Sequence, residues 1–90
     1  MRFICDADKA DKLLKEHNID IEIVVNIILN RGPASVIKNP VREGQQMFII
    51  NYNGYIHCVP FIRDADGNYI LKTAYKSRKY NKIYGEHSET

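Results

Sequence analysis

This ninety-residue sequence contains no tryptophan, two cysteines and three prolines, and no apolar run approaches the roughly 18 residues that a membrane helix needs. Its opening, MRFICDADKADK, has no apolar core of the kind a secretory signal requires. Cys5 and Cys58 sit in apolar, strand-like surroundings without CxxC spacing. They read as buried thiols of a reducing compartment, with a disulfide between them as the alternative. A cytoplasmic protein is expected. No glycine-rich phosphate loop and no nucleophile elbow is encoded. The carboxylates Asp64 and Asp66 belong to a turn, and no His, Cys, Asp or Glu cluster has metal-ligand spacing. Neither a metal enzyme nor a cofactor enzyme is indicated. There is no repeat, linker or low-complexity tract, so residues 1–90 are expected to form one domain. An apolar content of 44% with 27% charged residues places that domain among globular chains rather than disordered ones.

What is present begins with a short strand candidate at Arg2–Cys5, stopped by Asp6. Asp6 is a good N-cap for a helix to about His17, with Asn18 as its left-handed exit residue. Ala10, Leu13, Leu14 and His17 fall at i, i+3, i+4 and i+7, so this stripe is expected to pack. His17 then reads as a packing and capping residue. The next segment, IDIEIVVNIILNRGP, has a strand's Ile and Val content. Asp20 as N-cap, the Gly32-Pro33 stop and the stripe Ile21, Val24, Val25, Ile28 favour a second helix. From Ala34 the pattern turns to strands: Ala34–Lys38, then MFIINY and YIHCVPF around Asn53-Gly54, then NYILKTAY after Asp64-Ala65-Asp66-Gly67. Asn-Gly and Asp-Gly favour the positive φ of tight hairpins. A short helix over about Lys79 to Tyr84 closes the chain, and the tail after Gly85 is expected to fray. The predicted fold is α+β: two N-terminal helices on one face of an antiparallel four-stranded meander, with a short N-terminal strand and a C-terminal helix.

Strand register links this fold to chemistry. A two-residue loop at Asn53-Gly54 sets Tyr52 opposite Tyr55, Ile50 opposite His57 and Phe48 opposite Val59. A two- or four-residue second turn adds Phe61, Arg63, Ile70, Lys72 and Ala74 to that face, whereas a three-residue loop would remove Lys72. The other face, with Met47, Ile49, Ile56, Cys58, Ile62, Tyr69, Leu71 and Thr73, is almost wholly apolar. The helices are expected to cover it, with Leu13, Leu14, Val24, Ile28, Ile49, Cys58 and Leu71 in the core. His57 and Lys72 are then left on an open face.

Charge is concentrated in one place. Between Asn68 and Tyr84 stand Lys72, Lys76, Arg78, Lys79 and Lys82 without an acidic residue, in a chain whose formal charge is only +2. Tyr69, Tyr75, Tyr80 and Tyr84 are threaded among them. Cations that match phosphate, alternating with rings on which bases stack, suit nucleic acid. Metal-free RNA cleavage uses the 2′-hydroxyl as nucleophile. It needs a base for that proton and cations for the developing phosphate charge. His57 is the candidate for proton transfer, with Lys72 and Arg78 completing the catalytic set. Arg63, Tyr75, Lys76, Lys79, Tyr80 and Lys82 are candidates for holding RNA. The bland alternatives are a sheet-bound His57, a turn-flanking Arg63 and a solvated closing helix whose tyrosines pack inward.

These residues resemble a known family. FICDADKADKLLKEHNIDIE is similar to the opening of BrnT-type toxins, with Asp6, Lys9, Leu14, Lys15, His17 and Glu22 at matching places. YILKTAYKSRKYNKIY is similar to the last strand and closing helix of that group, with a basic residue, Arg78 or Lys79, before the helix. The resemblance covers nearly the whole chain and departs at Cys5, Asn18, Ala74 and Tyr80, where the family often has Trp, Gly, Arg and an acid. It implies a RelE-like fold and an endoribonuclease toxin of a type II toxin–antitoxin system that halts translation. It also implies a cognate antitoxin partner, one that often binds DNA. Ala74 and Tyr80 fall in the suspected active region. They support the alternative, a non-catalytic RelE-like module that binds RNA or protein.

Overall fold

The computed structural model describes residues 2–85, so the expected fraying after Gly85 lies outside the described residues. The chain runs β1 (Phe3–Ile4), α1 (Ala7–His17), α2 (Ile21–Asn30), β2 (Ser35–Lys38), β3 (Gln46–Tyr52), β4 (Tyr55–Arg63), β5 (Tyr69–Leu71), β6 (Tyr75–Lys76) and α3 (Arg78–Tyr84). The fold is α+β with a mixed six-stranded sheet in the order β1-β5-β4-β3-β2, and β6 pairs beside β4. β2 to β5 are antiparallel neighbours. β1 adds a parallel edge against β5, with Phe3 opposite Tyr69. The sheet is therefore larger than the four-stranded meander expected, and mixed.

The local signals act as their chemistry dictates. The Asp6 carboxylate accepts the N–H groups of Asp8 and Lys9, and that of Asp20 accepts Glu22 N–H, which starts α1 and α2. Asn18 leaves α1 at φ 57°. Asn53 and Gly54, at φ 55° and 81°, make the two-residue turn that sets Tyr52 against Tyr55. The Ser77 side chain accepts Tyr80 N–H and starts α3 one residue before the expected helix.

Three expectations are corrected. The helices cover the other face of the sheet: Leu13, Ile19, Val24 and Ile28 pack with Phe48, Ile50, Tyr52, Val59, Phe61 and Leu71. The face with Met47, Ile49, Ile56 and Cys58 receives Tyr80 and Tyr84 of α3. Both faces are apolar enough to attract a helix, and the face under α1 and α2 carries the larger aromatic payload. Phe48 and Phe61 stack at 4.2 Å between ring centres, and Tyr69 meets Phe3 at 5.0 Å.

Second, the turn after Arg63 holds five residues, since Arg63 pairs with Tyr69. The Asp64 carboxylate draws it together by accepting the N–H groups of Asp66 and Asn68 and the Asn68 amide. An odd loop reverses the parity of β5, which sends Leu71 and Tyr69 to the α1–α2 side and takes Lys72 from the His57 set.

Third, Leu14 is 48% exposed and His17 is exposed; Leu13 alone carries the packing of the stripe's lower half. The two cysteines are free. Cys58 packs in the α3-side cluster and Cys5 against the α1–α2 core.

Candidate nucleic-acid interface

A β-bulge organises the candidate site. From Leu71 to Tyr75 the outer strand advances four residues while its partner goes from Phe61 to Cys58, three residues. The extra residue re-aims the chain, as bulges do. Leu71 and Ala74 are buried in the α1–α2 core, whereas Lys72, Thr73 and Tyr75 line a cavity of about 490 Å³. Lys72 N–H donates to the Pro60 carbonyl at 2.8 Å and anchors the bulge. The cavity also receives Lys9 from α1 and Arg42 from the β2–β3 loop.

Beyond the bulge, β6 straddles the sheet edge. Tyr75 lies across from Cys58 on the α3 side, where its hydroxyl donates to Met47 Sδ at 3.4 Å. The residue stays 42% exposed, and burial together with the neighbouring Cys58 raises its pKa. Burial likewise pushes the Cys58 thiol up, against hydrogen bonds with Ser77 and Tyr75. A thiol held this way is a packing group.

Lys76 lies directly across from His57 on the opposite side, with its Nζ 5.1 Å from the centre of the Tyr55 ring. His57 is only 5% exposed, which corrects the expectation of an open-face histidine. It sits between the rings of Tyr52 and Tyr55. Its Nδ1 is 2.8 Å from the Tyr55 carbonyl oxygen. A carbonyl only accepts, so Nδ1 carries the proton and Nε2 keeps the lone pair. No buried side-chain nitrogen or oxygen among the described residues lacks a partner. Burial lowers the His57 pKa below 6.5, the Tyr55 hydrogen bond opposes this, and the Lys76 charge adds to it. The imidazole is therefore neutral at neutral pH.

α3 presents cations outward by anchoring its other side. Tyr80 and Tyr84 pack on the sheet, and the Asn81 side-chain oxygen accepts Ile56 N–H at 3.0 Å. Ser77 N–H donates to the Ile56 carbonyl. Arg78, Lys79 and Lys82 are exposed as a result. Tyr80, expected to stack a base, is instead half-buried under this helix, with Lys79 Nζ 5.4 Å from its ring centre.

The expected residues thus fall into separate groups. His57 and Lys76 are brought together, Lys72 and Tyr75 share the bulge cavity, and Arg78, Lys79 and Lys82 line α3. Arg63 stands apart at the far end of β4, donating to the Gly67 carbonyl at 2.8 Å and stacked on Tyr69. It is a turn residue. Sequence reasoning missed Lys9 and Arg42, which only the fold brings to Lys72, and Tyr55, whose pairing with a cation needed the β6 register.

Among the described residues no three His, Cys, Asp or Glu side chains gather closely enough to hold a metal ion. Among the described residues no helix is long and apolar enough to cross a membrane. No protein-family model matches the chain, and no curated protein and no solved structure matches it.

Proposed function

We propose that the chain binds RNA and cuts it without a metal, as an endoribonuclease toxin resembling the BrnT type. The observation that carries this reading is the pairing of His57 with Lys76 across the β4–β6 ladder. A neutral imidazole with Nδ1 tied down offers Nε2 as the base for a 2′-hydroxyl, and the adjacent ammonium meets the charge developing on the phosphate. Arg78, two residues past the end of β6 at the start of α3, is the candidate for a second, bidentate cation reaching in from the sheet's other side. Atoms balance: the 2′-oxygen forms a bond to phosphorus as its proton passes to Nε2. The bond to the 5′-oxygen then breaks as that oxygen takes a proton from water, leaving a 2′,3′-cyclic phosphate and a 5′-hydroxyl, and the imidazolium gives its proton back to the solvent. The proposal extends, from the resemblance, to a RelE-like fold, a cytoplasmic setting and a cognate antitoxin, itself often DNA-binding, that covers this surface.

A second reading has its own support: with His57 only 5% exposed, the same surface would serve a module that binds RNA or protein without cutting. One assay separates them. The purified chain with labelled RNA and excess chelator should produce cyclic-phosphate ends. His57→Ala, Lys76→Ala and Arg78→Ala should each slow cleavage by about 10²-fold or more. A base must be unprotonated to act, and the His57 pKa is lowered from 6.5. The rate should therefore hold at neutral pH and fall only on acidification below that value, with this limb missing in His57→Ala. Tight RNA binding with no cleavage would establish the second reading. A folded His57→Ala protein that cuts at the original rate would remove the imidazole from the mechanism.

A further inference from the structure

The bulge cavity is one end of a longer cationic groove. A second cavity, of about 280 Å³, lies beside it and shares Lys9 and Thr73 with it, adding Lys12 and His17 from α1. Lys12 lines the second cavity, Lys72 and Arg42 the first and Lys9 both, and no carboxylate is among the residues that line either cavity. The four cations come from three separate elements: α1, the β5–β6 connection and the β2–β3 loop. Among the described residues none of the four has an ion-pair partner; the one salt bridge found is Lys15 with Asp11, elsewhere on α1. Four cations without ion-pair partners, lining two adjoining cavities that carry no carboxylate, make a surface that attracts a polyanion.

The far end of the groove is built in advance. Asn39 pins the β2–β3 loop: its side-chain oxygen accepts the N–H groups of Val41 and Arg42, and its amide donates to the Gln45 side chain. The Asn39 and Gln45 backbones bond as well, and Gln45 N–H donates to the Arg42 carbonyl. Arg42 is thereby presented on a closed loop rather than a loose one. Glu43, the acid of this loop, lines a neighbouring cavity instead. Tyr75, an exposed residue whose hydroxyl is anchored on Met47, lines the same cavity as Lys72 and Arg42. A ring beside cations at the end of a trough takes one stacked base and the phosphates of the chain leading to it.

We infer that this groove binds single-stranded RNA, with a base stacked on Tyr75 and successive phosphates along Arg42, Lys72, Lys9 and Lys12. This rests on the RNA reading above and gives the strand its path. A duplex has its bases paired and cannot place one on Tyr75. A free nucleotide carries the same phosphate chemistry and would occupy only the Tyr75 end.

The test uses a fluorescent single-stranded oligonucleotide with 2′-O-methyl sugars, which cannot be cut by 2′-hydroxyl attack. It is titrated against the wild-type chain, Lys9→Gln/Arg42→Gln and Tyr75→Ala at several salt concentrations. Circular dichroism confirms the fold of each variant. The double variant should bind roughly tenfold more weakly and lose about two counterions from its salt slope. Tyr75→Ala should weaken binding with the slope intact, and duplex binding should be unchanged by either. An unchanged dissociation constant in the double variant, or an equal loss for duplex, would overturn the groove as the strand's path.

Failure of the RNA reading itself looks different: the wild-type chain then binds no oligonucleotide of either kind. Adenosine monophosphate and inorganic phosphate decide the groove in that event. Amide shifts at Lys72 and Thr73 that vanish in the double variant would sustain an anion site for a free nucleotide. No such shifts would overturn the groove altogether.

Discussion

The two faces of the β3–β4 ladder are built on different principles. One is sealed by two helices over a continuous aromatic and aliphatic layer, from Leu13 and Val24 through Phe48, Ile50 and Phe61. The other holds four buried residues, Met47, Ile49, Ile56 and Cys58, under a seven-residue helix held partly by polar bonds. Burial of apolar area dominates the first, while the second depends on a few directional contacts. The exposed cations Arg78, Lys79 and Lys82 are all carried by the thin layer. The thick face supplies a rigid floor, and a thin cover can present charge outward because it has little apolar surface of its own to hide.

Substitutions on the two sides sharpen this contrast. Phe48→Ala, on the thick face, should have the largest effect, about 3–5 kcal/mol by denaturant unfolding, because it empties a stacked ring from the centre of the layer. Asn81→Ala probes the thin face. It leaves Ile56 N–H without its acceptor and should cost about 1–3 kcal/mol. That loss should appear first as faster amide exchange in α3, with the α1–α2 side still protected. Equal exchange gains on both faces would show that the layers melt as one unit, which breaks the contrast. The smallest effect belongs to Leu14→Ala, within about 0.5 kcal/mol, because that side chain is already half in water. Its neighbour Leu13→Ala, at 5% exposure, should cost about 2–5 kcal/mol. A large loss at Leu14 would mean that α1 is rotated from the position described.

The contrast also explains what was legible in the sequence. Caps and the Asn53-Gly54 turn were readable because each is a local bargain between one side chain and a few backbone groups. They set the helices, the β3–β4 register and the pairing of Ile50 with His57. Three features were not readable. The Asp64 turn admits several loop lengths with the same residues, and one residue decides which way β5 faces. The choice of covered face turned on comparing two apolar surfaces, for which alternation gives no answer. The bulge at Lys72–Thr73 has no glycine to mark it. In the candidate site the basic run was plain, but its partition was not: Lys76 stands across from His57, while Lys72 shares a cavity with Lys9 and Arg42. Those last two look like solvated charges on a helix and a loop, and only tertiary structure makes them neighbours.

The β1 pairing carries a consequence for assembly in time. Arg2 N–H donates to the Asn68 side chain, 66 positions away, and Tyr69 N–H donates to the Arg2 carbonyl. The first strand therefore cannot find its place until the β3–β4 hairpin and the Asp64 turn have formed beside it. Closing so long a loop costs entropy before any contact repays it, which makes this edge a late event in folding. During synthesis, Phe3 and Ile4 wait while nearly the whole sheet emerges, and β5 is unguarded along one side until they dock. A nascent chain stalled before Tyr69 would hold the helices and the hairpin but not the edge that β1 closes.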